Sequence, residues 1–227
     1  MIIESIPVGA LMCNCVIVGD EQSGEAIVID PGDDVERIKE LLDRHNFRVR
    51  AIVATHGHID HVGGIARLKD LTGAPAMLHE ADVPLYENIA VQAQWLGVPP
   101  PPTTQLDAHL RDAQGLDFGG QRLEVRHTPG HSPGSVSLVA PLDVPIVFAG
   151  DTLFAGSIGR TDLWGGSMDQ ILESIHTALL TMPDESVVLP GHGPRTTIGM
   201  ERRSNPFLHE AAQGASELGG SEKLRGL

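Results

Sequence analysis

Means of covalent cross-linking are nearly absent from this sequence. Cys13 and Cys15 are its only cysteines, and an i, i+2 pair closes too small and strained a ring for a disulfide. Disulfide-stapled secreted scaffolds are thereby excluded, and a reducing compartment is indicated. Aromatic residues are also scarce, at 4% of the chain, and Trp95, Trp164 and the single Tyr86 are too few and too scattered for a base-stacking platform. Positive charge is short as well. Sixteen Lys and Arg stand against thirty Asp and Glu, a formal charge of −14, which repels phosphate backbones and anionic membrane surfaces. Neither nucleic acid nor a membrane is an expected partner. No apolar run approaches the roughly 20 residues of a membrane-spanning helix. The opening MIIESIPVGALMCNC carries Glu4 and no basic flank, so a cytoplasmic location is expected.

What the chain does have is enough apolar residue, 41% of 227, to bury one substantial core. Apolar runs bounded by turn residues predict strands over 14–19, 25–30 and 51–55, with Pro31-Gly32 as a breaker. Between the last two, Val35, Ile38, Leu41 and Leu42 recur at helical spacing behind Asp33 and Asp34, which predicts a helix over 33–45. Further helices are expected over 62–72 and 80–95, flanking a short strand at 76–79, and the second stops before the run Pro99 to Pro102. Strands over 121–127, 135–140 and 145–149, a helix over 168–181 capped by Ser167, and a strand at 186–189 complete an α/β pattern. From 208 onward large apolar residues thin out and Gly and Ser cluster. A single domain over 1–207 with a frayed or disordered tail over 208–227 is therefore expected.

Eleven histidines are many for this length, and their placement matters more than their number. The run AIVA leads to Thr55-His56-Gly57-His58-Ile59-Asp60-His61. Strand 121–127 leads to Thr128-Pro129-Gly130-His131, PIVFA to Gly150-Asp151, and SVVL to Pro190-Gly191-His192. Four strand ends thus deliver His or Asp beside a glycine, where loops carry sites and glycine allows close backbone approach. Four ligand-type residues within the six positions 56–61 exceed what packing requires, because imidazole and carboxylate are the ligands that suit zinc, iron and manganese. Five histidines and two aspartates are more than one first-row cation takes. Two divalent metals, with Asp151 able to bridge them, are the economical reading, and hydrolysis is the reaction class implied. His127 adjoins the turn before His131, whereas His45, His79, His109, His176 and His209 read as surface or helix residues.

This order and spacing resembles the metallo-β-lactamase superfamily, whose THxHxDH signature matches Thr55 to His61 and whose later single ligands match His131, Asp151 and His192. The resemblance spans nearly the whole chain. It implies a four-layer αβ/βα sandwich, with His56, His58 and His131 on one metal, Asp60, His61 and His192 on a second, and Asp151 between them. No cysteine falls at a ligand position, which looks like the glyoxalase II branch and unlike the antibiotic-hydrolysing branch with its Cys ligand. Segments 149–162 and 189–208 are similar to short glyoxalase II-like proteins. These imply a small-molecule substrate, a hydroxyacyl thioester such as S-D-lactoylglutathione, cleaved by metal-bound hydroxide that Asp60 helps to orient. Zinc is the expected metal, although the same ligands serve iron and manganese. Full-length glyoxalase II adds a helical domain with basic residues for glutathione. Here Arg160, Arg195, Arg202 and Arg203 are the cations near the motifs, and Arg160 is either a partner for a substrate carboxylate or a local partner of Asp162. The same superfamily offers an alternative, an iron-dependent persulfide dioxygenase with ligands matching His56, His131 and Asp151. GRTD at 159–162 resembles its segment, but Ile158 stands where that family has a cysteine.

Overall fold

Alternation along the strands decides the layering. In the computed structural model, which describes residues 1–209, the first half comprises β1 (Ile2–Val8), β2 (Cys13–Asp20), β3 (Glu25–Ile29), α1 (Val35–Arg44), β4 (Arg48–Val53), α2 (Ile59–Val62), α3 (Ile65–Thr72), β5 (Ala76–His79), α4 (Val83–Glu87), α5 (Ile89–Leu96) and β6 (Ala108–Leu110). The second half comprises β7 (Gly115–Phe118), β8 (Gln121–His127), β9 (Val136–Ala140), β10 (Ile146–Gly150), the small hairpin β11 (Leu153–Phe154) and β12 (Ser157–Ile158), α6 (Met168–Ser174), β13 (Val187–Pro190), β14 (Thr196–Thr197) and α7 (Ile198–Ser204).

Strands β1 to β6 form one sheet in that order, parallel from β3 onward, and the other sheet runs β14-β13-β10-β9-β8-β7 with β10 and β13 parallel. On β2, Cys15 and Ile17 face α1 and α3, while Val16 and Val18 face the other sheet. There they meet Phe118, Leu123, Val125, Leu138 and Phe148 across a dry inter-sheet layer. The opposite face of the second sheet, from Val139, Val147 and Val188, is covered by Ile171, Ile175 and Ile198. The result is the expected four-layer sandwich, helices outside and two sheets within.

Several boundaries differ from the sequence expectation for local reasons. The helix expected over 62–72 is two helices, because Gly63 and Gly64 press against the carbonyl oxygens of Gly32 and Pro31, where an added Cβ would come within 2.6 and 2.4 Å. The helix expected over 80–95 is a 3₁₀ turn followed by α4 and α5, with a break at Asn88. Ser167 caps α6 by accepting from the Gln170 amide, and the helix then closes on a single π turn over Ile175–Leu179. Strand β1 carries Pro7 and lies at the sheet edge, where a missing N–H is tolerated. Leu208 is buried against the second outer layer, one residue past the expected domain boundary; residues 210–227 of the expected tail lie outside the described residues. Among the described residues no helix is long and apolar enough to cross a membrane.

Candidate metal centre

The parallel pairs β3–β4 and β10–β13 end at one edge of the sandwich, and the loops beyond them carry the site. Strand β4 leads to His56, His58, Asp60 and His61, β8 leads to His131, β10 to Asp151 and β13 to His192. Glycine makes the room needed where β10 and β13 release their loops. Gly150 has φ +50, and a Cβ on Gly191 would lie 2.3 Å from Asp151 Oδ1 and 2.7 Å from the His61 ring.

All seven sequence-predicted ligand residues come together, in two adjoining groups. His56 Nε2, His58 Nδ1 and His131 Nε2 form a triangle with sides of 3.0, 2.9 and 3.2 Å. Beside it, His192 Nε2 lies 3.1 Å from Asp60 Oδ2 and 3.3 Å from His61 Nε2. Asp151 stands between, its Oδ2 3.6 Å from His131 and 3.8 Å from His192, its Oδ1 3.4 Å from His61. That buried Oδ1 has no hydrogen-bond partner among the described residues. Converging imidazole nitrogens and an orphaned carboxylate oxygen are costly unless a cation satisfies them, so the donor set fits metal ions in both groups.

The far side of most rings is fixed. His56 Nδ1 lies 3.1 Å from Thr55 Oγ1, His131 Nδ1 2.8 Å from the Arg160 carbonyl oxygen, and His61 Nδ1 3.0 Å from Asp30 Oδ2. Such partners set the tautomer that turns Nε2 toward a metal. Asp30 also accepts from the Thr55 amide and hydroxyl. Sequence reasoning missed it, although it follows β3 and precedes Pro31-Gly32, the same strand-end signature used for the ligands. Asp82 was missed too. It is fully buried and accepts from the amides of Gly57 and Gly134 and the hydroxyl of Ser132, tying the His56–His58 loop to the loop of His131.

Electrostatics divide the two groups. Burial, reinforced by the neighbouring imidazoles, pushes His56 well below the ordinary histidine range and His58 down to about 3, and burial lowers His131 as well. For His192 the hydrogen bond it donates to Asp60 outweighs burial and raises the pKa. Burial also works against a charged His61, yet the Asp151 and Asp30 carboxylates around it turn the net shift upward. Cys13 Sγ itself lies 3.5 Å from His61 Nδ1, and burial pushes its thiol up to about 11, so it stands beside the centre as a neutral thiol. Burial opposes ionisation of Asp60, but His192 and His61 overcome it and the carboxyl is held below its usual range.

A cavity of about 510 Å³ opens onto the two groups, lined by His58, Asp60, His131, Asp151 and His192 and walled by apolar side chains. Arg160 lines it as well, with its guanidinium in a bidentate pair with Asp162 at 2.8 Å on both contacts. His127 does not join the cluster; it bonds the Pro133 carbonyl oxygen and stacks on His79 at 4.3 Å. Arg202 bonds the carbonyl oxygens of Leu180 and Met182, and Arg203 pairs with Asp184.

Two facing αβ layers with a His/Asp cluster at one sheet edge define a metallo-hydrolase architecture. The chain belongs to the metallo-beta-lactamase superfamily, whose family model matches residues 8–192. It is 38% identical over 216 residues to the hydroxyacylglutathione hydrolase GloC of Haemophilus influenzae, covering 92% of this chain and 99% of that one. Among solved structures, BLEG-1 B3 metallo-beta-lactamase superposes with a TM-score of 0.85 at 38% identity, over 91% of this chain and 99% of that one. TTHA1623 in a di-iron-bound form superposes with a TM-score of 0.80 at 39% identity, over 90% and 100%.

Proposed function

We propose that this protein is a thioester hydrolase of the glyoxalase II type, with two divalent cations, most economically zinc, in its histidine–aspartate cluster. The observation that carries the reading is the arrangement of Asp151, whose oxygens face both groups and whose Oδ1 is buried without a partner. His56, His58 and His131 would hold one cation, Asp60, His61 and His192 the other, and Asp151 both. Cations held there would lower the pKa of a bound water toward neutrality and polarise a carbonyl oxygen. Asp60, kept ionised by its histidine neighbours, lines the cavity and is placed to accept a hydrogen bond from the nucleophile and orient it. Asp30, Thr55 and the Arg160 carbonyl oxygen keep the rings aimed through the reaction. A thiol leaving group, with a pKa of about 8.5, departs without a dedicated acid, which matches a cavity whose remaining wall is largely apolar. Similarity to the relative described as a hydroxyacylglutathione hydrolase supports the same chemistry.

The test is metal content of the purified protein beside turnover of S-D-lactoylglutathione. Oxygen uptake with glutathione persulfide and turnover of a chromogenic β-lactam are followed in parallel. About two metals per chain with thioester loss alone is the expected result. Oxygen consumption by a one-iron form, or turnover of the β-lactam alone, would replace this reading. Asp151→Ala is expected to lose metal and thioester turnover together; full activity with intact metal in that variant would refute the bridging role.

A further inference from the structure

The chain has only two tryptophans, and both line the cavity over the metal groups. Trp95, near the end of α5, is 73% exposed, and Trp164, in the segment after β12, is 55% exposed. They come from opposite halves of the chain. A tryptophan buries 150–250 Å² when covered, and leaving it in water forgoes that gain, so two of them at one mouth mark a surface meant to be covered. Leu11, Leu85, Leu96 and Leu163 complete the apolar wall. The surface also continues: a second hollow of about 520 Å³ shares Leu11, Ile59, Asp60 and Leu96 with the first and runs over Val98 onto the prolines 99–102, with Asp33 and the Glu36-paired Arg67 on its far wall.

Charge points the same way. Arg160 is the only Lys or Arg lining the first cavity among the described residues, and Asp162 already holds its Nε–Nη2 edge and offsets its charge. An anionic arm would have to share a guanidinium whose charge Asp162 already compensates, in a protein of charge −14.

We propose that the thiol arm of the substrate is uncharged and apolar, and that Trp95 and Trp164 are the residues that select it. The inference rests on the thioesterase reading and specifies its substrate class: thioesters of apolar thiols are preferred to those of glutathione. The arm lies across the tryptophans and Leu11–Leu96, leaving the acyl carbonyl over the histidine–aspartate cluster.

The two tryptophans make binding directly visible. The metal-loaded protein is titrated with two uncleavable thioethers sharing a 2-hydroxypropyl group in place of lactoyl, one on glutathione and one on 2-phenylethanethiol, and tryptophan emission is followed. The expected result is a saturable blue shift with the phenylethyl compound, at a Kd about tenfold or more below that of the glutathione compound, as burying one aromatic arm implies. Trp95→Ala and Trp164→Ala, both at exposed positions, are each expected to weaken the phenylethyl compound about tenfold, and Trp95→Phe to recover most of it. With the matching lactoyl thioesters, the alanine variants raise KM more than they lower kcat. Equal or tighter binding of the glutathione compound, or alanine variants that leave the Kd of the phenylethyl compound unchanged, overturns the proposal. If both thioesters are hydrolysed without preference, the hydrolase reading stands and this inference falls. If neither is hydrolysed while the tenfold binding preference holds, the hydrolase reading falls and the apolar recognition stands.

Discussion

Asp60 and Asp151 give the two histidine groups opposite responses to acid. Imidazole binds a metal only when unprotonated. Around His56, His58 and His131, burial and mutual repulsion depress the pKa values, so protons compete there at a lower pH than for an ordinary histidine. In the other group, His192 is raised by its hydrogen bond to Asp60, and His61 is raised by the charges around it despite its burial. Both begin to bind protons at a higher pH than the first three. Stepwise acidification is therefore expected to release the cation of the Asp60/His61/His192 group first, leaving a one-metal form at intermediate pH. Metal content after dialysis at each pH checks this, and simultaneous loss of both metals contradicts it. A second expectation concerns Arg160, whose guanidinium is engaged by Asp162. Asp162→Asn removes that competitor and should raise kcat/KM for S-D-lactoylglutathione several-fold, in the range of one charge-assisted hydrogen bond; an unchanged value would exclude Arg160 from substrate contact. Legibility at this scale followed chemistry. Residues of ligand type beside glycines stand out in the sequence because few other uses require them so densely. Asp30 and Asp82 face a ring nitrogen, backbone amides and hydroxyls, and such work leaves no spacing to recognise.

Among the elements, the short 3₁₀ turn Glu80–Asp82 after β5 has an influence beyond its length, because it carries Asp82. The Asp82 carboxylate is the shared acceptor for Gly57, Ser132 and Gly134, and Gly134 has no room for a Cβ, which would come within 2.7 Å of it. Asp82→Ala strands three buried donors and should destabilise the fold by about 2–4 kcal/mol. It should also weaken metal binding by the His56/His58/His131 group at least tenfold through loss of loop alignment. Urea unfolding and metal titration measure the two effects, and a variant with wild-type values for both would show that the loops hold their places without Asp82. The sequence revealed elements in proportion to how much of their stability is their own. Helix α1 buries Val35, Ile38, Leu41 and Leu42 at helical spacing, and its periodicity was readable. Strands β6 and β14, three and two residues long, exist because β5 and β13 offer them an edge. A pattern of two or three residues has no period to detect.

Across the whole molecule, neither half completes a metal group by itself. The first supplies His56, His58, Asp60 and His61; the second supplies His131, Asp151 and His192. The triangle of imidazoles closes only through His131, and the second group only through His192. Cations that bind both halves at once bind the folded chain and not the unfolded one, where these seven residues are scattered over 137 positions from His56 to His192. Metal binding is thus part of folding stability. At a free metal concentration about 100 times the Kd, linkage adds about 2.7 kcal/mol per site, and for a chain of this size each kcal/mol moves Tm by roughly 2–4 °C. Stripping with a chelator is expected to lower Tm by roughly 5–10 °C for each site emptied, and adding back the metal should restore it. The same treatment of Asp151→Ala, which removes the carboxylate both groups share, should move Tm far less. Thermal scans of the loaded, stripped and reloaded protein decide the matter. A Tm that ignores chelation and reloading would mean that the cluster holds its geometry without cations, and the two-group reading of the site would have to be abandoned.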